Sequence, residues 1–488
     1  MKHFVETNRL DENKLSVVND NGLDIKLFAN TEVPIDRASL RETVGISAIG
    51  KSFDDLRLQD GFQDMSLERV VLTPDFHKGS GIPVGTVLDV RGAIIPKCIG
   101  RDINCSMRYI ATDLPADVIR SAGRELDMRL RAIFFGGLRN VAMDESLREA
   151  IMRHGLAGIS PGMLQNHAEG LWNDVSWDSL EHDMKHTHNQ GSWHTNDLWI
   201  FDDFVRGAGG MSRDSALGSI GGGNHFVEFQ EVDHVTDRHS GYNWGLTKGH
   251  LGIMIHSGSL FAGGMVGDHY MDVARKLWPS NMERPNHDFY PLPLHGKHSV
   301  HAKRYLSALG LASNFAVINR MLMGYMAIKA IKDVVGTDFN HHLVYDLSHN
   351  MLFENENGYI HRKGSSPSEN SEHFVDGHPV IIPGSMGTHS YIMRGGNLND
   401  ALNSAPHGAG RLLSRGKTRS SERSEKLRIV TKVDTTGLRS DVKKEVLKDL
   451  MEEAPDAYKP ILPAYETVAN SGMAHPVARL SPILTVKG

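Results

Sequence analysis

Apolar and polar positions change rhythm several times along this chain, and each change marks an element. Residues 1–60 alternate only briefly between scattered charges and read as a mixed lead-in. From Val70 to Met107 the text turns apolar and glycine-rich. There Val70-Val71-Leu72 predicts a strand, Pro74-Asp75-Phe76-His77-Lys78-Gly79 a loop, and Gly85-Thr86-Val87-Leu88 a second strand. Helical spacing predicts helices over 116–133 and 143–155. Residues 160–215 lose periodicity and fill with Trp, His, Asn and Asp, the pattern of a long loop or insertion at the surface. Strand text returns at Phe226-Val227-Glu228-Phe229 and Leu251-Gly252-Ile253-Met254-Ile255, and 311–334 has the spacing of a long helix. A polar loop follows from Ser365 to Glu372, then a basic stretch from Arg411 to Arg428 and a helical segment near 438–453. Without an internal repeat or a dividing linker, the reading is α+β: one large domain over 1–488 of mixed sheets with surrounding helices, decorated by 160–215.

Composition narrows the class. With 40% hydrophobic and 23% charged residues, a 488-residue chain has ample material for a buried core, which argues against disorder. Met1-Lys2-His3-Phe4-Val5-Glu6 lacks the basic-then-apolar pattern of a secretory signal, and no apolar run approaches the roughly 20 residues of a membrane span. The only cysteines, Cys98 and Cys105, make a poor disulfide framework, so a reducing, cytoplasmic setting away from membranes is expected. A net charge of −6 argues against indiscriminate nucleic-acid binding through a global field, but it leaves room for a local basic groove. The 27 histidines favour a metal site without locating it; His186, His188 and His194 sit in polar text that reads as solvated surface.

The richest candidate cluster is Gly100-Arg101-Asp102-Ile103-Asn104-Cys105-Ser106-Met107. A carboxylate and a thiol three residues apart can meet at one point from a turn, a donor pair that suits Zn²⁺ or Mn²⁺; the alternative is that Cys105 is a small buried hydrophobe. His225 follows Gly221-Gly222-Gly223-Asn224, His256 ends an apolar strand before Ser257-Gly258-Ser259, and His349 follows Leu343-Val344-Tyr345. One such histidine is ordinarily a hydrogen-bonded structural group. Three in the same strand–loop context beside Asp102 and Cys105 suggest one or two metals.

A second constellation runs from Ser404 through Pro406-His407-Gly408-Ala409-Gly410-Arg411 to Arg415. It reads either as the opening of a helix that holds a nucleotide phosphate, with Arg411, Arg415 and Lys417 nearby and His407 as nucleophile, or as a glycine turn with a solvated basic face. Ile381-Ile382-Pro383-Gly384-Ser385-Met386-Gly387 either contacts a base or turns the chain, and Arg362-Lys363-Gly364 either touches phosphate or nothing specific.

Taken in order, these stretches resemble the RtcB family of RNA ligases. The resemblance rests on Pro74–Gly79, Gly92-Ala93-Ile94-Ile95-Pro96, Asp102 with Cys105, Gly223-Asn224-His225-Phe226 and His256-Ser257-Gly258-Ser259. It continues through His349-Asn350, Arg362-Lys363-Gly364, Pro383–Gly387, His407–Arg411 and the ending Val486-Lys487-Gly488, covering about residues 70–488. It implies a central cleft as active site, with two Mn²⁺ ions held by Asp102, Cys105, His225, His256 and His349, the thiolate being shared; Zn²⁺ or Co²⁺ are possible substitutes. It also implies GTP as co-substrate, with His407 attacking its α-phosphate to form a histidine–guanylate. Guanylate contacts are expected from Asn224, Phe226, Glu228, Asn350, Ser385, Gly408, Gly410, Arg411 and Lys487, and Glu228 is suited to accept from guanine N1 and N2 hydrogens. The implied partner is RNA with a 3′-phosphate or 2′,3′-cyclic phosphate end and a 5′-hydroxyl end, joined in splicing or repair by a monomer or homodimer.

The chain departs from the family's text in two places. Arg101, Asn104 and Ser106 stand where Val-Asp-Ile-Gly-Cys-Gly-Met has small or apolar residues. Leu260 and Phe261 stand where His-Ser-Gly-Ser-Arg-Gly has a basic residue. Competing readings are a divergent paralogue that guanylylates but seals poorly, a non-catalytic binder of RNA ends or nucleotides, and a di-metal phosphohydrolase. The last leaves His407–Arg411 and Lys487-Gly488 without a role.

Overall fold

The computed structural model describes residues 6–207, 212–285, 288–413, 427–435, 438–439, 442, 450 and 453–488. Two large sheets organise it. One has seven strands in the order Thr7–Arg9, Lys14–Val17, Ile25–Phe28, Ser66–His77, Val84–Arg91, Gly358–Lys363 and Asn350–Asn355. The other runs His341–Ser348, Ser106–Pro115, His250–Ser257, Phe226–Val235, Ala474–Val486, Ser390–Gly395 and Pro379–Ile382, with Ile429–Val430 lying parallel to the strand at 474–486. A helix, Arg37–Leu56, connects Ile25–Phe28 to its parallel neighbour Ser66–His77, since parallel strands need a crossover. The sheets are mixed and the helices surround them, as the α+β reading requires.

The longest element is the helix Ser299–Val335, 37 residues ending on Gly336 at φ +71°. Its text is apolar on every side, and a helix of that kind belongs inside a protein or a membrane. Here 89% of its most apolar window is buried within the protein, where it packs on His250–Ser257, on the helix Leu260–Leu277 and on the helix Gly123–Phe134. It is the only such helix among the described residues.

The predicted strands and helices fall where the spacing puts them: 116–133 as Asp117–Ser121 and Gly123–Phe134, and 143–155 as Glu145–His154. Several expectations differ. The lead-in supplies three strands of the first sheet, and Ser66–His77 continues through Pro74-Asp75-Phe76, expected as a loop. Residues 160–215, expected as a loop, contain the helices Pro161–Asn166, Trp177–Lys185 and Asp202–Arg206, and they bury Trp172 and Phe201. Ser404–Pro406 is a strand paired with Ser365–Pro367, the start of the stretch expected as a polar loop, and residues 407–413 follow as bends with a bridge from Arg411 to Tyr458, so no helix opens there. Arg415, Lys417 and most of the segment expected as helical near 438–453 lie outside the described residues.

Candidate active site

The antiparallel order of the second sheet brings distant parts of the chain to one edge. His341–Ser348 ends where Ser106–Pro115 begins, Ser106 sits opposite Ser257 at the end of the next strand, and Phe226 opens the strand facing His256. Val227 in turn faces Val486 at the end of the fifth strand. His349, Cys105, His256, His225 and Lys487 therefore leave neighbouring strands at the same edge. The first sheet repeats the device, with His77 opposite Val84, Lys363 opposite Thr86 and Asn350 opposite Lys363. His349 is the single residue between the last strand of one sheet and the first of the other.

Cys105 is at the centre. Its Sγ lies 3.3 Å from His225 Nε2 and 3.1 Å from His256 Nε2. His225 Nε2 is 3.2 Å from Asp102 Oδ2, and His256 Nε2 is 3.3 Å from His349 Nε2. Two overlapping groups result, Cys105 with His256 and His349, and Asp102 with Cys105 and His225; within each, the ligand atoms lie within 4.8 Å of one another. Gly258 makes this approach possible, since a Cβ there would stand 2.1 Å from Asp102 Oδ1.

The electrostatics favour a cation. His256 and His349 are held well below the usual imidazole range by burial and by neighbouring histidines, so both present lone pairs. His256 Nδ1 lies 3.2 Å from the Asn224 carbonyl, which sets the tautomer that leaves Nε2 open. The Nδ1 atoms of His225 and His349 are buried without a partner among the described residues. Burial, then Asp102, pushes the Cys105 thiol well up, while His225 holds the Asp102 carboxyl down against the effect of burial. Sulfur, imidazole nitrogen and carboxylate oxygen converging in a buried space are the donor set of a borderline divalent metal, and the residues fit one.

His407 stands beside this cluster, its ring centroid 4.7 Å from that of His349 and 6.4 Å from that of His256. Its Nδ1 lies 2.7 Å from Oδ2 of Asp75, a fully buried carboxylate whose other oxygen accepts from Thr73 Oγ1 at 2.6 Å. With Nδ1–H donated to Asp75, Nε2 carries the lone pair. Gly410, at φ +77°, lets the backbone pass over Asp75: a Cβ would sit 2.1 Å from the Asp75 carbonyl oxygen.

A cleft of about 240 Å³ opens over both groups. It is lined by His407, by Asp102, Cys105, His256 and His349, and by Asn224, Phe226, Glu228, Asn350, Ser385, Gly408, Gly410, Arg411 and Lys487; His225 lies behind Cys105. Glu228 is buried, its carboxyl pushed up to about 7 by desolvation while Thr485 Oγ1 and Gln230 Nε2 donate to it at 2.8 and 2.5 Å. Asn350 Oδ1 accepts from Gly364 N at 2.7 Å, and Lys487 Nζ donates to the Gly223 carbonyl at 2.5 Å. Arg411 donates to Glu453 at 3.0 Å and lies over the Tyr458 ring, so it enters the cleft already engaged. Arg362 and Lys363 part company. Arg362 is buried on Ser404 Oγ and the Leu402 carbonyl, bracing the strand before His407, whereas Lys363 lines the cleft.

Lys363 lines the cleft as a phosphate contact would, whereas Asp75, His77, Tyr458 and Glu453 had no defined place in the site from the sequence. For Asp75 and His77 the signal was present, since both lie in the Pro74–Gly79 stretch. Of the departures, Arg101 is exposed and donates to Asp268 at 2.6 Å. Asn104 takes φ +53° and accepts from Ser106 Oγ at 3.1 Å. Leu260 takes φ +50°, and Phe261 is 40% exposed.

The sequence as a whole places this chain in a known class of proteins. Residues 63–488 match the family model described as tRNA-splicing ligase RtcB, and the chain belongs to the RtcB family. The tRNA-splicing ligase RtcB of Thermococcus kodakarensis is 30% identical over 472 residues, covering 89% of this chain and 93% of the relative. That of Pyrobaculum aerophilum is 30% identical over 492 residues, covering 93% and 96%. The RNA-splicing ligase RtcB of Mycobacterium tuberculosis is 30% identical over 448 residues, covering 85% and 96%.

Proposed function

We propose that this protein is a GTP- and Mn²⁺-dependent RNA ligase that joins a 3′-phosphate or 2′,3′-cyclic phosphate end to a 5′-hydroxyl end through a His407–guanylate. The observation that carries the proposal is His407 held by Asp75 beside the cysteine–histidine–aspartate cluster, within one cleft. Asp102, Cys105, His225, His256 and His349 would hold two Mn²⁺ ions, which supply charge neutralisation and orientation for the phosphates when bound.

The chain's own residues do the rest. Asp75 takes the His407 Nδ1 proton as a hydrogen bond, so Nε2 meets the α-phosphate of GTP as a neutral nucleophile. As the P–N bond forms and the bond to the pyrophosphate oxygen breaks, positive charge grows on the ring, and the Asp75 carboxylate stabilises it without taking the proton. Glu228, ionised, accepts from guanine N1 and N2 and selects the base. Asn350, Ser385 and Lys487 line the same wall. Water first opens a 2′,3′-cyclic phosphate to the 3′-phosphate. An oxygen of that phosphate then takes the guanylate as the P–N bond to His407 breaks, and attack of the 5′-hydroxyl on the activated 3′-phosphate releases GMP.

Incubating the protein with Mn²⁺, GTP and two oligoribonucleotides, one ending in 3′-phosphate and one beginning with 5′-hydroxyl, tests this directly. Joined product that needs all three and disappears in His407→Ala is the expected result. Absence of product together with absence of guanylylated protein overturns it. A second reading, guanylylation with poor sealing, is favoured by Leu260 and half-exposed Phe261 beside the His256 loop, where the family's text is basic; guanylylated protein without joined RNA would select it.

A further inference from the structure

Beneath the cluster, the long apolar helix Ser299–Val335 carries a buried guanidinium and a buried amide side by side, Arg320 and Asn319, both fully excluded from solvent. A buried charge of this kind is poor value for stability, since well-packed apolar replacements of buried ion pairs are often as stable. Its partners give it another purpose. Arg320 Nη1 donates to the Asn104 carbonyl at 2.8 Å and to the Ser257 carbonyl at 3.1 Å; Asn104 precedes Cys105 and Ser257 follows His256. Its Nη2 donates to Asn104 Oδ1 at 3.0 Å, which holds Asn104 at its left-handed φ. Its Nε lies 3.0 and 3.1 Å from the two Asp346 oxygens, on the strand whose end delivers His349. Asn319 completes the set. Its Nδ2 donates to the Ser219 carbonyl at 2.9 Å and to Ser257 Oγ at 3.2 Å, and its Oδ1 accepts from Ser219 N at 3.0 Å, fixing the segment that leads into His225.

We infer that Asn319 and Arg320 are positioning residues for the metal cluster: one rigid helix ties down the four segments that carry Cys105, His225, His256 and His349, and so sets the separation of their donor atoms. The inference rests on the cluster being a metal site. A planar fork with donors at fixed angles can hold two carbonyls, an amide and a carboxylate at once, which a lysine ammonium cannot. The same Asp346 also pairs with Arg108 at 3.5 Å, and Arg108 pairs with Asp183. The network under the cluster thus continues into the helix Trp177–Lys185.

Cobalt(II) reports the geometry without reference to turnover. The full chain is loaded with Co²⁺, and the thiolate-to-cobalt absorption, the ligand-field bands and the binding curve are recorded for the parent, Arg320→Lys and Asn319→Ala. All are measured well below each protein's melting temperature. Loss of support behind a ligand typically weakens metal binding about 10- to 100-fold. Both folded variants are expected to show a loss of that size and an altered thiolate band. Parent-like spectra and affinity in folded variants would reduce the pair to a stabilising role and overturn the inference. If Arg320→Lys does not fold, Asn319→Ala, which leaves every charge in place, decides alone. A parent without a thiolate-to-cobalt band would overturn the metal reading itself and the inference with it, a failure visible before any variant is made.

Discussion

The short contact between His407 Nδ1 and Asp75 Oδ2 sets the chemistry of one imidazole. His407 was legible from its setting, Pro406-His407-Gly408-Ala409-Gly410, but its partner was not, because 332 positions separate the two and no local spacing encodes that contact. Asp75→Asn keeps the shape and removes the charge that supports a ring turning cationic. Guanylylation is expected to fall by on the order of 10²- to 10⁴-fold with the melting temperature little changed; an undiminished rate would remove Asp75 from the mechanism. Glu228 gives a pH prediction with two signs. Burial raises its carboxyl to about 7 from an ordinary 4.5, so the neutral form suits the empty fold. Its stabilising contribution is complete below 4.5 and is lost as pH rises through 7, on the order of 3 kcal/mol. Glu228→Gln should therefore gain stability relative to the parent across that window in urea unfolding. Under the proposed function, guanine recognition needs the ionised form and runs the other way. Titration calorimetry should show GTP binding to the parent strengthening from pH 6 to pH 8, and a flat response in Glu228→Gln would assign the change to this carboxylate. A parent that is flat as well would contradict the assignment.

At the scale of elements, periodicity found what is long and regular. The apolar spacing of 311–334 lies inside Ser299–Val335, and the strand-like text at Val70-Val71-Leu72 and Phe226-Val227-Glu228-Phe229 lies inside strands of 12 and 10 residues. It failed on 160–215 because the helices there span only 5 to 9 residues, shorter than the window of about 11 residues over which a repeating pattern shows. Their caps were readable all the same. Ser160 before Pro161 accepts from Met163 N, and Ser176 accepts from Ser179 N, both ordinary N-terminal signals. The helix Trp177–Lys185 is anchored by Asp183 against buried Arg108. Asp183→Ala should cost about 3 kcal/mol in urea unfolding, because it removes a partner from a buried guanidinium. A cost below about 1 kcal/mol, the size of an exposed pair, would show that the helix docks by its apolar face alone.

Across the whole molecule, motifs in the sequence singled out the side chains that converge but could not assemble them, because the strand order that gathers them is non-local. Neighbours in the second sheet come from residues 341–348, 106–115, 250–257, 226–235 and 474–486, and only their alternating direction puts five chemical groups at one edge. A cation shared by those strands would bind the folded chain and not the unfolded one. Mn²⁺ at about 100 times its dissociation constant should then add about 2.7 kcal/mol, read as a rise in melting temperature that a chelator reverses. An unchanged melting temperature would argue against a resident metal. The central claim, that His407 takes up a guanylate beside this metal cluster, is tested most directly by exposing the protein to Mn²⁺ and α-labelled GTP and looking for acid-labile label on the chain. The account predicts label on the parent and none on His407→Ala or Cys105→Ala. An unlabelled parent with its metals bound would contradict it.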